Sequence, residues 1–301
     1  MVRDAKNRRC YVQINLMCHT TRKMYHLRKS YNHQTTYKQQ LLTDFNSRKN
    51  YDKGRFYIPI ANKLVEFANL QNGQKILDVA TGTGIVALNA AQKVGDTGKV
   101  IGVDISAGML SNAKQKLAET GLQNVEFIEA DAETLEFKDN SFDAVLCSLA
   151  VCYLTDIPFS LQKWHRLIET DGFIAFNVWQ ENAFPPSVLF REVARKYGIK
   201  VPNPNAPMGT IERCHQLLHE IGFQNIQIET EQFGWYFKVD ESIAKNIWQM
   251  NANNVFGYQV FQLPADKLKE CIAEYIKEMQ IPTTEKGVWC DAPIFFIRAI
   301  K

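Results

Sequence analysis

From Lys75 to Val178, short apolar runs alternate with stretches whose apolar residues recur at helical spacing. The runs at 75–79, 99–103, 124–129, 142–147 and 172–178 read as strands, with long unbroken apolar pieces that suit burial on both faces. Helical periodicity near 85–94, 107–119 and 156–169 fills most of the gaps, and GDTGK (95–99) and ETDG (169–172) read as turns. This βα rhythm predicts a parallel sheet covered by helices. After Trp179 the rhythm changes. A short helix and a proline-rich loop are followed by ERCHQLLHEIGFQNIQIET, which reads as helix, glycine stop and strand, and APIFFIRAI closes the chain as another strand. About 60 residues, 232–292, separate those last two strands and contain helix-like segments near 240–250 and 263–279. A hairpin needs only a few residues, so this stretch is an insertion.

The first βα unit carries the chemistry. In ILDVATGTGIV (76–86) an apolar run ends in an aspartate, then two glycines separated by one residue lead into a helix. Glycine tolerates the backbone angles and close approaches of such a turn, which usually faces a ligand. Gly82 to Ala87 satisfies G-x-G-x-x-G/A, and Asp104 ends the second strand about twenty residues on, so a dinucleotide site is one reading. Asp78 argues against it, because a carboxylate four residues before Gly82 repels a pyrophosphate. S-adenosylmethionine presents an ammonium and a sulfonium there as well as a carboxylate, so the acidic strand tip favours the methyl donor.

Three further segments agree: VIGVDISAGML, NVEFIEADAETLEFKDNSFDAVLCSLAVCYL and WHRLIETDGFIAF. With ILDVATGTG they resemble, in order, the motifs of class I S-adenosylmethionine-dependent methyltransferases, and among these the small-molecule enzymes similar to those of ubiquinone and menaquinone biosynthesis. The resemblance spans roughly residues 45–232 and, more faintly, the final strand. It implies a Rossmann-like, doubly wound α/β sheet of seven strands, mostly parallel with the last antiparallel, to which the insertion adds a helical cap between the last two. The methyltransferase domain is then 39–301, with cap segments 45–70, 180–210 and 232–292. The resemblance also assigns positions to the cofactor. Asp78, Ala80, Gly82 and Gly84 line its methionine end, and Asp104 accepts from both ribose hydroxyls. Ile105 and Met109 pack on the adenine, Asp131 accepts from its amino group, and Ala132 offers a backbone N–H. Ser148 and Leu149 border the sulfonium and the acceptor. Tyr51 with Asp52 is either a lid over the cofactor or an ordinary surface segment.

The acceptor is expected to be a small, largely apolar metabolite bound outside the βα core. Phe56, Tyr57, Phe184, Trp235, Tyr236 and Phe237 are candidate walls, alongside Phe233 and Trp248, and most of this group is expected simply to pack the cap. The O, N or C atom methylated and the oligomeric state stay open, and no catalytic base is assigned. His165, His215 and His219 read as structural. Quinone methyltransferases carry an asparagine- and histidine-containing stretch ending in an Arg-Trp-like pair before the first motif, where this chain has FNSRKNYDKGRFYIPIANKLV. That departure weakens the case for a quinone, the alternative acceptor of a C-methyltransferase, and the insertion, absent from the plain fold, favours a specialised, natural-product metabolite. CSLAVCYL after the fourth strand differs from the Asn-Pro-Pro-Tyr-like motif of nucleic-acid amino methyltransferases, and no nucleic-acid partner is expected. Two rivals from other classes remain: an NAD-dependent oxidoreductase and a non-catalytic S-adenosylmethionine-binding protein.

Charge and cysteines add context. Of 35 Lys and Arg, nine lie in residues 1–38 against one of the 32 acidic residues, Asp4, which leaves the remainder at −5. This basic extension is expected to be disordered and dispensable for folding. A transit peptide, a nucleic-acid arm, and sequence ahead of a later start such as Met17 or Met24 all fit it. Seven cysteines include no C-x-x-C pair and fit neither a disulfide framework nor a zinc site, and Cys147 and Cys152 read as buried small hydrophobes rather than a thiol pair. No run approaches the roughly 18–20 apolar residues of a membrane span, so a soluble cytoplasmic enzyme without a metal is expected.

Overall fold

The computed structural model describes residues 37–48, 51–280 and 284–301. The chain divides into two units, residues 1–41 and 42–301. The expectation for the basic extension falls outside the described residues, except that Tyr37 and Lys38 already belong to helix α1 (Tyr37–Asn46).

In the second unit seven strands form one sheet in the order β3-β2-β1-β4-β5-β9-β6. They are β1 (Lys75–Val79), β2 (Lys99–Asp104), β3 (Val125–Glu129), β4 (Phe142–Cys147), β5 (Ile168–Trp179), β6 (Gln224–Gln232) and β9 (Pro293–Ile300). The first five are parallel to one another, and β9 runs antiparallel between β5 and β6. The expected turn at 169–172 survives as an irregularity inside β5. The register shifts there, Asp171 takes φ +64°, and Ile168 already pairs with Phe142, which also ends the preceding helix earlier than its periodicity suggests.

Both faces of the sheet are covered. Helices α2 (Tyr57–Ala68), α3 (Ile85–Val94) and α4 (Ala107–Thr120) pack Ile60, Leu64, Val86 and Leu110 against Ile76, Val100 and Leu146. Helices α5 (Ile157–Leu167) and α7 (Ile211–Ile221) bring Leu161, Trp164 and Leu218 to Leu77, Val79 and Ile174 on the other face. Burying each such side chain stabilises the fold by roughly 1.5–3 kcal/mol relative to exposure, which the apolar alternation of the sequence provides for.

Three helices form a separate layer. In α6 (Pro185–Lys196), α8 (Glu241–Asn253) and α9 (Ala265–Met279), the side chains Phe190, Trp248 and Tyr275 meet in a core of their own. The 180–210 segment and the insertion thus share one core. The insertion is also not purely helical. Strands β7 (Trp235–Phe237) and β8 (Val288–Cys290) pair antiparallel as a two-stranded ribbon at its base, too short to stand out from the apolar pattern.

Candidate active site

The turn after β1 is held by its backbone. Ala80, Gly82 and Gly84 have φ of +53°, +56° and +78°, a left-handed region that side chains disfavour. The two glycines serve different ends. A Cβ at Gly82 would meet nothing within 4 Å, so this peptide faces open cleft, whereas at Gly84 it would lie 2.8 Å from Phe127 and 3.0 Å from Ala113. Gly84 thus lets α3 start close against β3 and α4, and Gly82 leaves bare backbone toward the cleft.

Two carboxylates flank this turn. Asp78 is 1% exposed and accepts a hydrogen bond from the Thr81 hydroxyl. Burial pushes its pKa up to about 7, against the pull of that hydroxyl and of a backbone bond at Ala87, with the nearby Asp104 charge adding to the rise. Asp104 ties the turn to β2, since its Oδ2 accepts from Gly82 N–H at 2.8 Å and its Oδ1 from Ser106 N–H at 2.8 Å. Burial raises its pKa too, offset by these backbone donors. Each oxygen keeps a further lone pair for a ligand hydroxyl.

Next along the cleft, Ser106 caps α4 through Met109 N–H at 3.2 Å, which fixes half-buried Ile105 and buried Met109. Asp131 accepts from Glu133 N–H at 3.0 Å, and the Ala132 carbonyl accepts from the buried Trp164 indole at 2.9 Å. Glu133, which the sequence reading passed over, binds the loop after β4. Its Oε1 accepts from Thr155 N–H at 2.9 Å, the Thr155 hydroxyl at 2.6 Å and Asp156 N–H at 3.1 Å.

Tyr51 and Asp52 lie against the glycine turn. Asp52 accepts from the Thr83 hydroxyl and pairs with Lys116 of α4 at 2.6 Å. Tyr51 stacks on Tyr57 at 4.0 Å, and burial raises the pKa of its phenol, with Tyr57, Tyr153 and the Asp104 carboxylate adding. Asn46 closes the same edge, its Oδ1 accepting from the Ser106 hydroxyl at 2.7 Å and Gly108 N–H at 2.9 Å. Thr83, Lys116 and Asn46 carried no motif signal, because their partners are 31, 64 and 60–62 residues away in sequence.

Ser148 and Leu149 follow β4, and both bond to the side chain of Asn177 on β5. A small, partly open cleft lies there, bordered by Leu149, Asn177, Trp179, Asn205 and Met208. The aromatic candidates separate into five places. Phe56, Trp179, Phe184 and Trp235 gather from four segments, with ring centroids 4.7–6.3 Å apart, and Phe237 adjoins Trp235 at 6.2 Å. Tyr57 does not join them; it turns to Tyr51. Nor does Tyr236: strand alternation places it on the outer face of the ribbon, 50% exposed beside Trp289. Trp248 packs inside the cap and Phe233 near Phe296. Tyr153, which the sequence reading missed, meets Phe45 edge-on at 5.3 Å and stacks on Phe256 of the insertion at 5.6 Å.

Among the described residues no cluster of three or more His, Cys, Asp or Glu is placed to hold a metal, and no helix is long and apolar enough to cross a membrane. His165 lies edge-on to Phe223 at 4.7 Å, a packing position. Cys147 is buried, and that burial raises its pKa far above the usual thiol range.

A β3-β2-β1-β4-β5-β9-β6 sheet with an acidic strand tip, a left-handed glycine turn and a second carboxylate ending β2 defines the class of S-adenosylmethionine-dependent methyltransferases. The model of the ubiE/COQ5 methyltransferase family matches residues 58–193. Aklanonic acid methyltransferase DauC of Streptomyces sp. (strain C5) is 35% identical over 156 residues, which cover 50% of this chain and 71% of that protein. The ubiquinone/menaquinone biosynthesis C-methyltransferase UbiE of Coxiella burnetii is 37% identical over 118 residues, 39% of this chain and 47% of its own length, so the chain spans about half of that relative. The crystal structure of YcgJ from Bacillus shares the fold at TM-score 0.56 and 18% identity, with 81% of this chain and 99% of that one aligned. The chain belongs to the ubiE/COQ5 methyltransferase family and is an S-adenosylmethionine-dependent methyltransferase. The family is one of methyl-donor enzymes, not of the dinucleotide-dependent oxidoreductases that the glycine pattern alone had left open.

Proposed function

We propose that this enzyme methylates a small, largely apolar specialised metabolite in the cytoplasm, with the donor held over β1–β3 and the acceptor beyond β4 and β5. The observation that carries the acceptor class is the convergence of Phe56, Trp179, Phe184 and Trp235 at the C-terminal end of β5, beside the Leu149–Asn177 cleft. Such apolar walls with a few polar groups suit a polycyclic or alicyclic molecule. The name of DauC, an aklanonic acid methyltransferase, is consistent with this class.

The residues present fit S-adenosylmethionine, since Gly82 leaves open space where backbone must approach the donor and Asp78 offers a buried acid to its cation. When bound, the cofactor supplies an electrophilic methyl group on a positively charged sulfur. Asp78, Ala80, Gly82 and Gly84 hold its methionine end, and Asp104 accepts from the ribose. Ile105 and Met109 contact the adenine, with Asp131 and Ala132 at its edge. Ser148 and Leu149 border the transfer point, and Tyr51, latched through Asp52, closes the cleft. Aligning donor and acceptor in a dry site removes entropy and solvent reorganisation from the barrier, and this positioning supplies the acceleration.

The test uses isotope-labelled S-adenosylmethionine with aklanonic acid and a demethylated naphthoquinol as parallel acceptors, and a metabolite extract beside them. Label in the polycyclic acid or in a related component of the extract supports the reading. Faster labelling of the naphthoquinol makes the enzyme a quinone C-methyltransferase instead, and donor binding without transfer to any acceptor leaves a binding protein.

A further inference from the structure

Asn177 is the one polar side chain in the buried run Phe173–Val178 and is 0% exposed. A carboxamide in that position is destabilising unless its partners are supplied. Both of its ends are used, and both reach sideways to the chain leaving β4: Oδ1 accepts from Leu149 N–H at 2.8 Å, and Nδ2 donates to the Ser148 hydroxyl at 3.2 Å. The paired register of β4 with β5 ends at Cys147 and Phe176. Asn177, one residue further on, continues that ladder with its side chain where the neighbouring backbone has already turned away.

The turn it holds is strained. Leu149 has φ +55°, a left-handed conformation that residues with a Cβ adopt only under strain. Strain of this kind persists only where surrounding bonds fix it, and the bond from Leu149 N–H to Asn177 does so. Leu149 and Asn177 then line the same cleft.

We infer that Asn177 is a positioning residue for methyl transfer, acting through Ser148 and Leu149 to set the wall that the reactive sulfur faces. The inference rests on the proposed donor site and adds the residue that fixes its transfer end. It places no proton on Asn177 and no contact of Asn177 with the donor.

The test needs no acceptor, because S-adenosylmethionine and S-adenosylhomocysteine differ only in the methylated, charged sulfur. Both are titrated calorimetrically into the parent and the variants Asn177→Ala, Asn177→Leu and Asn177→Asp, and hydrogen exchange is followed at the Leu149 amide. In the Ala and Leu variants this amide exchanges about tenfold faster, and affinity for S-adenosylmethionine relative to S-adenosylhomocysteine falls about threefold or more, while S-adenosylhomocysteine binding is retained. Asn177→Asp restores both. In either protonation state it can accept from Leu149 N–H and bond the Ser148 hydroxyl, which rotates to suit. Asn177→Ser, too short to reach both partners, gives the same contrast if the apolar variants do not fold. Folded variants with the parental exchange rate and affinity ratio, or an Asp variant no better than Leu, overturn the role of Asn177. A parent that binds neither ligand overturns the donor site itself and this inference with it, a result plainly different from the first.

Discussion

Between β1 and β2 the cleft is shaped by main chain, while beyond β5 it is shaped by side chains brought from distant segments. On the first side, three consecutive alternate residues in left-handed or glycine conformations and two carboxylates lie within about 30 residues of one another. On the second, Phe56, Trp179, Phe184 and Trp235 meet only because α2, β5, α6 and the β7–β8 ribbon are packed together. A backbone-built site tolerates few substitutions, since each changes an angle or a hydrogen bond. A side-chain-built wall can be resized one ring at a time. The donor is common to many enzymes of this kind and the acceptor is not, and the two constructions match that division of labour.

The largest expected effect tests whether the cap is energetically separate. Trp248→Ala removes a buried indole that packs on Phe190 and Phe261 and should destabilise the protein by about 3–5 kcal/mol. Exchange protection should fall across α6, α8 and α9 while β1–β3 and donor affinity hold. Equal loss of protection in β1–β3 would make cap and sheet a single cooperative unit.

On the donor side, Asp104→Ala should weaken S-adenosylmethionine binding by about 1.5–3 kcal/mol, roughly tenfold to hundredfold, because the ribose and Gly82 N–H both lose a charged acceptor. Calorimetry on the folded variant measures this. Unchanged affinity removes Asp104 from the site.

This contrast also explains what the sequence could reveal. Gly82, Gly84 and Asp104 were legible because a local backbone constraint leaves a local residue pattern. The order of the βα units was legible because strands buried on both faces are nearly continuous in apolar residues. Tyr57 and Tyr236 were placed with Phe56 and Trp235 on aromatic composition alone, yet adjacent residues at a helix start or on a strand point in different directions. Asn177, Glu133 and Tyr153 act across 22–28 or more residues of separation, and only Asn177 left a trace, one amide in the apolar run FIAFNVW. The ribbon of β7 and β8 joins segments about 50 residues apart, a pairing that no pattern within either segment encodes.

A third prediction concerns pH. With the Asp78 carboxyl at about 7, well above its value of 3.8 in an unfolded chain, the folded state holds a proton that the unfolded state has already released. The stability this lends is complete below about pH 4 and is lost as pH rises through 7. Asp78→Asn should therefore be more stable than the parent at pH 8, with the advantage fading toward pH 4. A cationic donor prefers the carboxylate, so affinity of the parent should climb about tenfold from pH 6 to pH 8 and stay nearly flat in Asp78→Asn. A parallel rise in both proteins assigns the titration to another group.

The smallest effects separate the two faces of the β7 strand and give the sharpest test of the acceptor side. Trp235 lies 5.0 Å from Phe56 and 6.3 Å from Phe184, on the inner face, whereas Tyr236 points outward beside Trp289. Both are aromatic neighbours in sequence, so a general loosening of the ribbon should affect them alike. Trp235→Ala removes part of a wall and should raise the acceptor KM about threefold to tenfold, with donor affinity unchanged. Tyr236→Ala deletes a half-exposed ring and should leave KM, kcat and donor affinity within about twofold, in keeping with the small effect of most surface substitutions. The comparison is made with whichever acceptor the labelled-donor experiment identifies. Equal effects of the two substitutions mean that the ribbon acts through its stability, and a larger effect of Tyr236→Ala moves the acceptor to the outer face.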